Sequence, residues 1–282
     1  MTTKAPQISY PFNGQIRTNE YGYGKLMEFY QWCEGREKQH ILLDFTAVGW
    51  FDANLTVLLQ AMVYKLNRAH GHVFYINPTF MREQFPVLFR NGFLSSIEKV
   101  QDEFGTAVQL KTFRSDEDEK FLMYIQNDLI KTDLREIDGK NKKQLADHFL
   151  EVFSNIQLHA NTTDSVFACG QFYPKQKELK FTLIDLGEGF LPKIKVFTKG
   201  EVDTSAKAIK WAVNGGSTKA NTPGGIGLSG IMKWCEDNDA GLEIVTGDAY
   251  LSHAFGRSRT LTVSPFCGTI VNILFRCHGQ DE

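Results

Sequence analysis

The sequence predicts a mixed α/β fold in two domains: a small α/β layer, followed by an α+β sandwich in which helices cover one face of a sheet. Three observations lead to this prediction. The first part of the chain alternates apolar strand-like runs with runs of helical apolar spacing. The second part is rich in strand-like runs with helices interleaved. Between them, the charged run "RSDEDEK" predicts a solvated connector, so we place the domains at residues 1–115 and 120–282.

Composition argues against several broad classes of protein. Apolar residues make up 42% of the 282 residues, which is enough for a globular core. The net charge of −2 gives no support to binding of a nucleic-acid backbone. No apolar run reaches the length of a membrane span, and the N-terminus lacks the apolar stretch of a signal peptide. The 5 cysteines fit no zinc pattern and, being odd in number, no disulfide framework. We therefore expect a cytoplasmic protein with reduced thiols and without a membrane or nucleic-acid partner.

In the first domain, "HILLDF" predicts a buried strand and "HVFYIN" a second strand. The segment between them predicts a helix, which Gly71 is placed to end. Its apolar residues recur at helical spacing: Leu55, Leu58, Leu59, Met62, Val63 and Leu66. A second helix is predicted over "MREQFPVLFRNGF", where Pro86 bends or restarts it.

In the second domain, "KFLMYIQNDLI" predicts a helix and "KNKKQLADHFLEVFSNIQLHA" a long one. The buried stripe of the long helix consists of Leu145, Phe149, Val152, Ile156 and Ala160. Five apolar runs then predict strands: "SVFACGQFY", "ELKFTLIDLG", "GLEIVTGDAYL", "TLTVSPF" and "GTIVNILFRC". The "YPKQKE" between the first two suits a hairpin turn.

Three polar residues recur every four positions along the long helix: Glu151, Asn155 and His159. Because each helical residue advances by about 100°, this polar row centres roughly 110° from the apolar stripe. It therefore lies at the shoulder of the buried face, where side chains line a pocket that the helix half covers. An ordinary solvated edge of an amphipathic helix is the alternative, and the spacing alone does not decide between them.

Two glycine-containing segments favour the pocket. In "IDLGEGF", Asp185 ends an apolar strand, and the alternate glycines Gly187 and Gly189 let backbone approach a planar or phosphorylated ligand; the alternative is a tight turn. In "NGGSTKANTPGGIGLSGIMKWCE", Gly225 and Gly227 precede a helix whose first N–H groups can hold phosphate oxygens. This segment lacks the lysine of a P-loop and the full dinucleotide fingerprint, so neither of those sites is predicted.

The order and spacing of these motifs resemble a known family. An E-x-x-x-N helix, then D-x-G-x-G, then G-x-G-L is similar to the GHKL ATPase superfamily, and "GTIVNILF" resembles the last strand of its ATP-binding domain. The resemblance covers about residues 120–282 and implies a Bergerat-type α/β sandwich that binds ATP and Mg²⁺.

The resemblance also implies roles for single residues. Asp185 would accept a hydrogen bond from the adenine amino group, because an ionised carboxylate only accepts. Asn155 would offer its amide oxygen to Mg²⁺, a hard cation that takes oxygen ligands. Glu151 would be the general base for a water or hydroxyl directed at the γ-phosphate. Thr269 resembles the hydroxyl that helps Asp185 to hold the base.

Further residues of the implied site lie around the adenine and the phosphates. Gly187 and Gly189 would pass beside the adenine, and Gly225, Gly227 and Leu228 of G-x-G-L would meet the phosphates. His159 would lie near the phosphates or the lid, or would be a structural histidine at a helix end. Lys219 would touch the γ-phosphate, or would be a solvated lysine.

Within the superfamily, "EVFSNIQLH" most resembles the anti-sigma-factor serine kinases and their histidine-kinase relatives. A histidine kinase needs a phospho-accepting histidine on a dimerisation helix, usually followed by an acid and a proline. His148 has neither and lies within the implied ATP-site helix, so a histidine kinase is not predicted.

The first domain, over about residues 38–100, resembles the STAS fold of anti-anti-sigma factors, which are the protein substrates of those serine kinases. The family's phospho-acceptor motif is D-S-S-G or D-S/T-x-G, whereas this chain has Asp52-Ala53-Asn54-Leu55. The nearest hydroxyl is that of Thr56. A STAS-like domain of this sequence is therefore expected to be a docking or regulatory module that is not phosphorylated in the usual way.

We expect an ATP·Mg²⁺-binding signalling regulator that phosphorylates Ser or Thr of a partner or hydrolyses ATP slowly. Its partner would be a regulatory protein, STAS-like or sigma-factor-like, and the sequence leaves open whether the chain forms a homodimer. The alternative is a non-catalytic module in which nucleotide only orders the lid and changes partner affinity. A chaperone-like or DNA-linked ATPase is a weaker alternative.

Overall fold

The computed structural model describes residues 6–130, 139–218, 227–254 and 256–276, without the side chains of residues 139–142, 158 and 159. The chain divides into two compact units, Met1–Glu103 and Phe104–Glu282. The fold is mixed α/β, with a parallel three-stranded sheet and an antiparallel five-stranded sheet. None of the helices in the described ranges is both long and apolar enough to cross a membrane.

The first unit alternates strands and helices. Its elements are β1 (Ile8–Ile16), α1 (Glu20–Glu34), β2 (His40–Phe51), α2 (Thr56–His70), β3 (Val73–Tyr75), α3 (Pro78–Gln84) and α4 (Val87–Arg90). The three strands are parallel in the order β1-β2-β3. This unit is therefore a small α/β layer, as the sequence predicts.

Local signals explain where the helices of this unit begin and end. Gly71 ends α2 in the left-handed conformation, with φ of 68°, as its position predicts. Asn77 caps α3 by accepting the Phe80 N–H, and Pro78 occupies the first turn. Pro86 separates α3 from α4, which confirms that the predicted helix is restarted there.

In the second unit, helices alternate along the chain with the strands of one sheet. Its elements are β4 (Ala107–Phe113), α5 (Asp118–Tyr124), α6 (Gly139–His159), β5 (Val166–Tyr173), β6 (Glu178–Asp185), α7 (Leu191–Phe197), α8 (Ser205–Val213), α9 (Gly227–Asp237), β7 (Gly241–Ala254) and β8 (Arg257–Arg276). The sheet order is β4-β5-β6-β8-β7, and all pairs are antiparallel.

The apolar stripe of α6 faces the core of this unit. All five predicted residues are buried: Leu145, Phe149, Val152, Ile156 and Ala160. Phe149 packs edge to face on Phe181 of β6, with the ring centroids 4.5 Å apart. Phe153 stacks on Phe121 of α5 at 4.3 Å. The packing fixes the rotation of α6, so the polar row beside the stripe is held at the edge of the core.

The division between the units lies earlier than the charged run at 114–120 indicates. The strand β4 pairs with β5 along Ala107–Phe113 and therefore belongs to the second unit. The charged run follows this strand and leads into α5. A run of charges marks a solvated segment, but it does not show to which sheet the preceding strand belongs.

Two predicted strands are one strand in the structure. "TLTVSPF" and "GTIVNILFRC" are both part of β8, which pairs with β7 in a long hairpin. The register shifts twice around Gly247 of β7, and Gly268 of β8 has φ of 112°. These irregularities produce the break in the apolar pattern without ending the strand.

Candidate functional site

A cavity of about 140 Å³ lies in the second unit and is lined by residues of α6, α7, α8, α9, β6 and β8; we call it the α6–α9 cavity. It brings together seven residues that the sequence analysis singled out: Glu151, Asn155, Asp185, Gly189, Gly227, Leu228 and Thr269. These residues come from four segments that are far apart in the sequence. Their convergence on one cavity is a property of the fold and does not follow from the motifs alone.

Asp185 is a buried acceptor in this cavity. It is the last residue of β6, lies opposite Thr269 of β8, and is 3% exposed. The Gly187 N–H donates to Asp185 Oδ1 at 2.8 Å, and Thr269 donates through its hydroxyl and its N–H. Burial raises the pKa of Asp185 to about 6, although these hydrogen bonds act to lower it. At pH 7 the carboxyl is therefore mainly ionised and accepts hydrogen bonds only.

The loop after Asp185 is held on two sides. A Cβ on Gly187 would lie 2.1 Å from the carbonyl oxygen of Ala160, so only glycine fits against the end of α6. Gly189 has φ of 73°, and a Cβ there would lie 2.4 Å from Thr246 Oγ1. Gly189 lines the α6–α9 cavity, whereas Gly187 does not and instead lies against Ala160. Gly187 therefore allows the loop to approach Ala160 closely, and Gly189 allows it to approach Thr246.

Hydrogen bonds fix the same loop. The Glu188 N–H donates to the carbonyl oxygen of Ala160 at 3.0 Å. The Phe190 N–H donates to Thr246 Oγ1 at 3.1 Å. Because the loop is tied to α6 on one side and to β7 on the other, the position of Asp185 is set by the backbone around it.

The start of α9 adjoins the polar row of α6. A Cβ built on Gly227 would lie 3.8 Å from Asn155 Nδ2 and 3.9 Å from Glu151 Oε1. The N–H groups of the first helical turn lack partners within their own helix and carry a partial positive charge. The cavity therefore has a second polar region, where a carboxylate, an amide and a helix N-terminus lie side by side.

The remaining lining is mainly apolar. The α6 side contributes Val152 and Ile156, and the segment that includes α7 and α8 contributes Phe190, Ile194 and Trp211. An apolar lining with a few polar groups is typical of a site for a small molecule. Sequence reasoning missed Ile194 and Trp211, because α7 and α8 are not predicted from the sequence, whereas Phe190 ends the segment "IDLGEGF". The amphipathic pattern of "SAKAIKWAV" was the available signal for α8.

Some predicted residues lie outside the part of the chain that the structure describes. Lys219, Gly225 and the side chain of His159 are among them. Over the described residues, no group of three or more His, Cys, Asp or Glu side chains could hold a metal ion.

Comparison with known proteins adds no assignment. No protein-family model matches the chain, and a comparison with curated protein sequences finds no significant match.

Proposed function

We propose that the second unit is a GHKL-type ATP-binding domain with a Bergerat-type fold. In this proposal the protein is a signalling regulator that transfers the γ-phosphate of ATP to Ser or Thr of a partner, or hydrolyses it slowly. The observation that carries the proposal is the convergence of Glu151 and Asn155, Asp185, and Gly227 on one cavity. Each motif alone has a structural explanation, but three unrelated local explanations do not account for a shared cavity.

The buried end of the cavity suits adenine. The ionised carboxylate of Asp185 would accept a hydrogen bond from the 6-amino group. Guanine has a carbonyl oxygen at that position, so it would place an acceptor against an acceptor. Burial strengthens this discrimination, because an unpaired charged group away from water is costly. The hydroxyl of Thr269 holds the carboxylate in place and lies on the same cavity wall.

The polar region beside α9 suits a triphosphate. The helix N-terminus at Gly227 favours an anion, and the side chain of Asn155 is close enough to share a ligand with it. The amide oxygen of Asn155 would be a ligand of Mg²⁺. The ion, when bound, would offset the negative charge of the phosphates and orient them.

Glu151 would act on the attacking group. It lies one helical turn before Asn155 and lines the same region of the cavity. A carboxylate at this place could accept the proton of a water or hydroxyl directed at the γ-phosphate. The role requires Glu151 to contact the attacking oxygen and not the metal ion.

Replacing Asn155 with alanine is expected to remove most of the Mg²⁺ dependence of ATP binding. The ratio of the ATP Kd values without and with Mg²⁺ should fall at least about tenfold, because even indirect partners of a metal contribute that much. Calorimetric titrations with and without chelator measure this ratio. Gln157→Ala is the matched control, since Gln157 is exposed on the same helix and does not line the cavity. An unchanged ratio in the Asn155 variant would remove Asn155 from the proposed site.

ATP binding is also expected to weaken as the pH falls through about 6. The raised pKa of Asp185 means that the carboxyl gains a proton there and ceases to be a pure acceptor. At pH 5 only about a tenth would be ionised, so affinity for the adenine group should be about tenfold lower than at pH 7.5. Titration with adenosine tests this without interference from phosphate ionisation. Constant affinity from pH 7.5 to pH 5 would contradict the role given to Asp185.

For the first unit we propose a STAS-like regulatory role. The parallel sheet of β1, β2 and β3 with its helices is compatible with that fold. Thr56 is fully buried and donates its hydroxyl to the carbonyl oxygen of Ala53 at 2.6 Å. Asp52 is 1% exposed and accepts both the N–H and the hydroxyl of Thr18 at 2.8 Å. Because the Thr56 hydroxyl is buried and already hydrogen-bonded, we favour a docking module rather than a phospho-acceptor at Thr56.

A further inference from the structure

Trp211 of α8 is a large aromatic residue of the α6–α9 cavity that none of the three motifs contains. It lines the cavity together with Phe190 and Ile194. It also packs on the small apolar cluster of Ile194, Val202 and Ala208. Trp211 therefore contacts both a supporting apolar cluster and the cavity.

Gly216 lies directly against the indole of Trp211. A Cβ on Gly216 would lie 2.2, 2.4 and 2.5 Å from Cδ2, Cε2 and Cε3 of Trp211. The Gly216 N–H donates to the carbonyl oxygen of Trp211 at 3.0 Å, so the turn folds back on the ring. Phe197 lies near it, with ring centroids 5.9 Å apart. Only a glycine at 216 leaves the indole where it is.

We infer that Trp211 contacts the nucleoside part of the bound adenine nucleotide with its indole. The inference rests on the proposed function. Asp185 would fix one edge of the adenine, which leaves the flat apolar surface of the nucleoside to be covered by the cavity walls. A rigid aromatic ring covers such a surface at little entropic cost and stacks favourably on it. Phe190 and Ile194 have smaller or non-aromatic side chains, so Trp211 is the main aromatic surface of this wall.

The first test compares Trp211→Ala and Trp211→Phe with wild type. We expect the alanine variant to bind both adenosine and ATP roughly 5- to 150-fold more weakly, by the same factor for each, because the lost contact is to the nucleoside. The phenylalanine variant, which keeps an aromatic ring, should remain within about tenfold of wild type. A loss confined to ATP would overturn the inference, since it would place the contact at the phosphates.

The second test uses the indole as its own reporter. Saturation with ATP should change the tryptophan emission of wild type and of Trp50→Phe, and this change should be lost in Trp211→Phe. Trp50 is 39% exposed and belongs to the first unit, so its removal is the matched control. An emission change that persists in Trp211→Phe would overturn the contact, and this measurement stands even if the alanine variant fails to fold.

The third test is a double-mutant cycle with Gly216→Ala. The added methyl group should displace the indole and weaken adenosine binding, but it should have little further effect in the Trp211→Ala background. Equal losses in both backgrounds would show that the methyl group blocks the cavity by itself, and would overturn the steric link between the two residues. If wild type does not bind ATP, the proposed function fails and the inference fails with it. If wild type binds ATP and the Trp211→Ala variant binds it equally well, the inference alone is overturned.

Discussion

Asp185→Asn is expected to abolish adenine-nucleotide binding while the protein stays folded. The amide has nearly the same shape as the carboxyl, and its oxygen can still accept the Gly187 N–H that now binds Oδ1. Its NH₂ group could not accept from Thr269 or from the amino group of adenine, and would set donor against donor. We expect the ATP affinity to fall by about 10²- to 10⁴-fold, because a charge-assisted hydrogen bond is lost and a buried donor is left unpaired.

The same substitution should change stability little at pH 7, because relief of a buried charge offsets hydrogen bonds from Thr269 that an amide NH₂ cannot accept. The folded-state pKa of Asp185, about 6, is above the ordinary value of 3.8, because burial disfavours the charged form. Such a group contributes stability fully below pH 3.8 and loses it as the pH rises through 6. At pH 7 the ionised carboxylate therefore opposes folding, and an asparagine removes that cost.

Calorimetry with ATP and thermal unfolding at pH 7 test both parts of this prediction. Glu188→Gln is the matched control, because Glu188 is exposed in the same loop and does not line the cavity. Wild-type affinity for ATP in the Asp185 variant would refute the adenine site. A large drop in melting temperature would show that Asp185 has a structural role instead.

Glu151→Gln is expected to bind ATP normally and to lose turnover. Glutamine keeps the size of the side chain but cannot take a proton, and removal of a general base typically costs about 10²- to 10⁴-fold in rate. Glu151 is half-buried at the edge of α6, so the variant should remain folded. Affinity should change little, because the proposed metal ligand is Asn155.

The measurement follows phosphate release and transfer of γ-label to a partner protein. Asp147→Asn is the matched control, since Asp147 is an exposed carboxylate one turn earlier on α6, outside the cavity lining. If wild type and the Glu151 variant both bind ATP and both show only background release and transfer with a cognate partner, the enzyme proposal falls. The non-catalytic nucleotide-binding module would then be the correct description.

Sequence periodicity is sufficient to predict those features of the second unit that depend on local structure. The buried stripe of α6 was predicted because five apolar residues recur at helical spacing, and all five are buried. Asp185 was expected at the end of a strand, and it is the last residue of β6. The pairing of Asp185 with Thr269 depends on strand register between segments far apart in sequence. No local pattern could give that pairing, and only the implied family resemblance suggested it.

Among the elements that were missed, β1 has an interrupted local pattern. In β1, Pro11 and Gly14 break the apolar alternation, and the register with β2 shifts at both places. Such a strand is tolerated because it is at the edge of its sheet. The helices α7 and α8 lie between the two glycine motifs, in a segment for which no element is predicted from the sequence. For the same reason, the apolar wall that contains Trp211 is not predicted from the sequence.

The most direct test of the central claim is a calorimetric titration of the wild-type protein with Mg²⁺·ATP and, separately, with Mg²⁺·GTP at pH 7.5. A single α6–α9 cavity with an ionised Asp185 at its buried end predicts saturable one-to-one binding of ATP. It also predicts GTP binding that is about 10²-fold weaker or absent, because an acceptor of guanine would face the buried carboxylate. No binding of ATP, or equal affinity for the two nucleotides, would contradict the account.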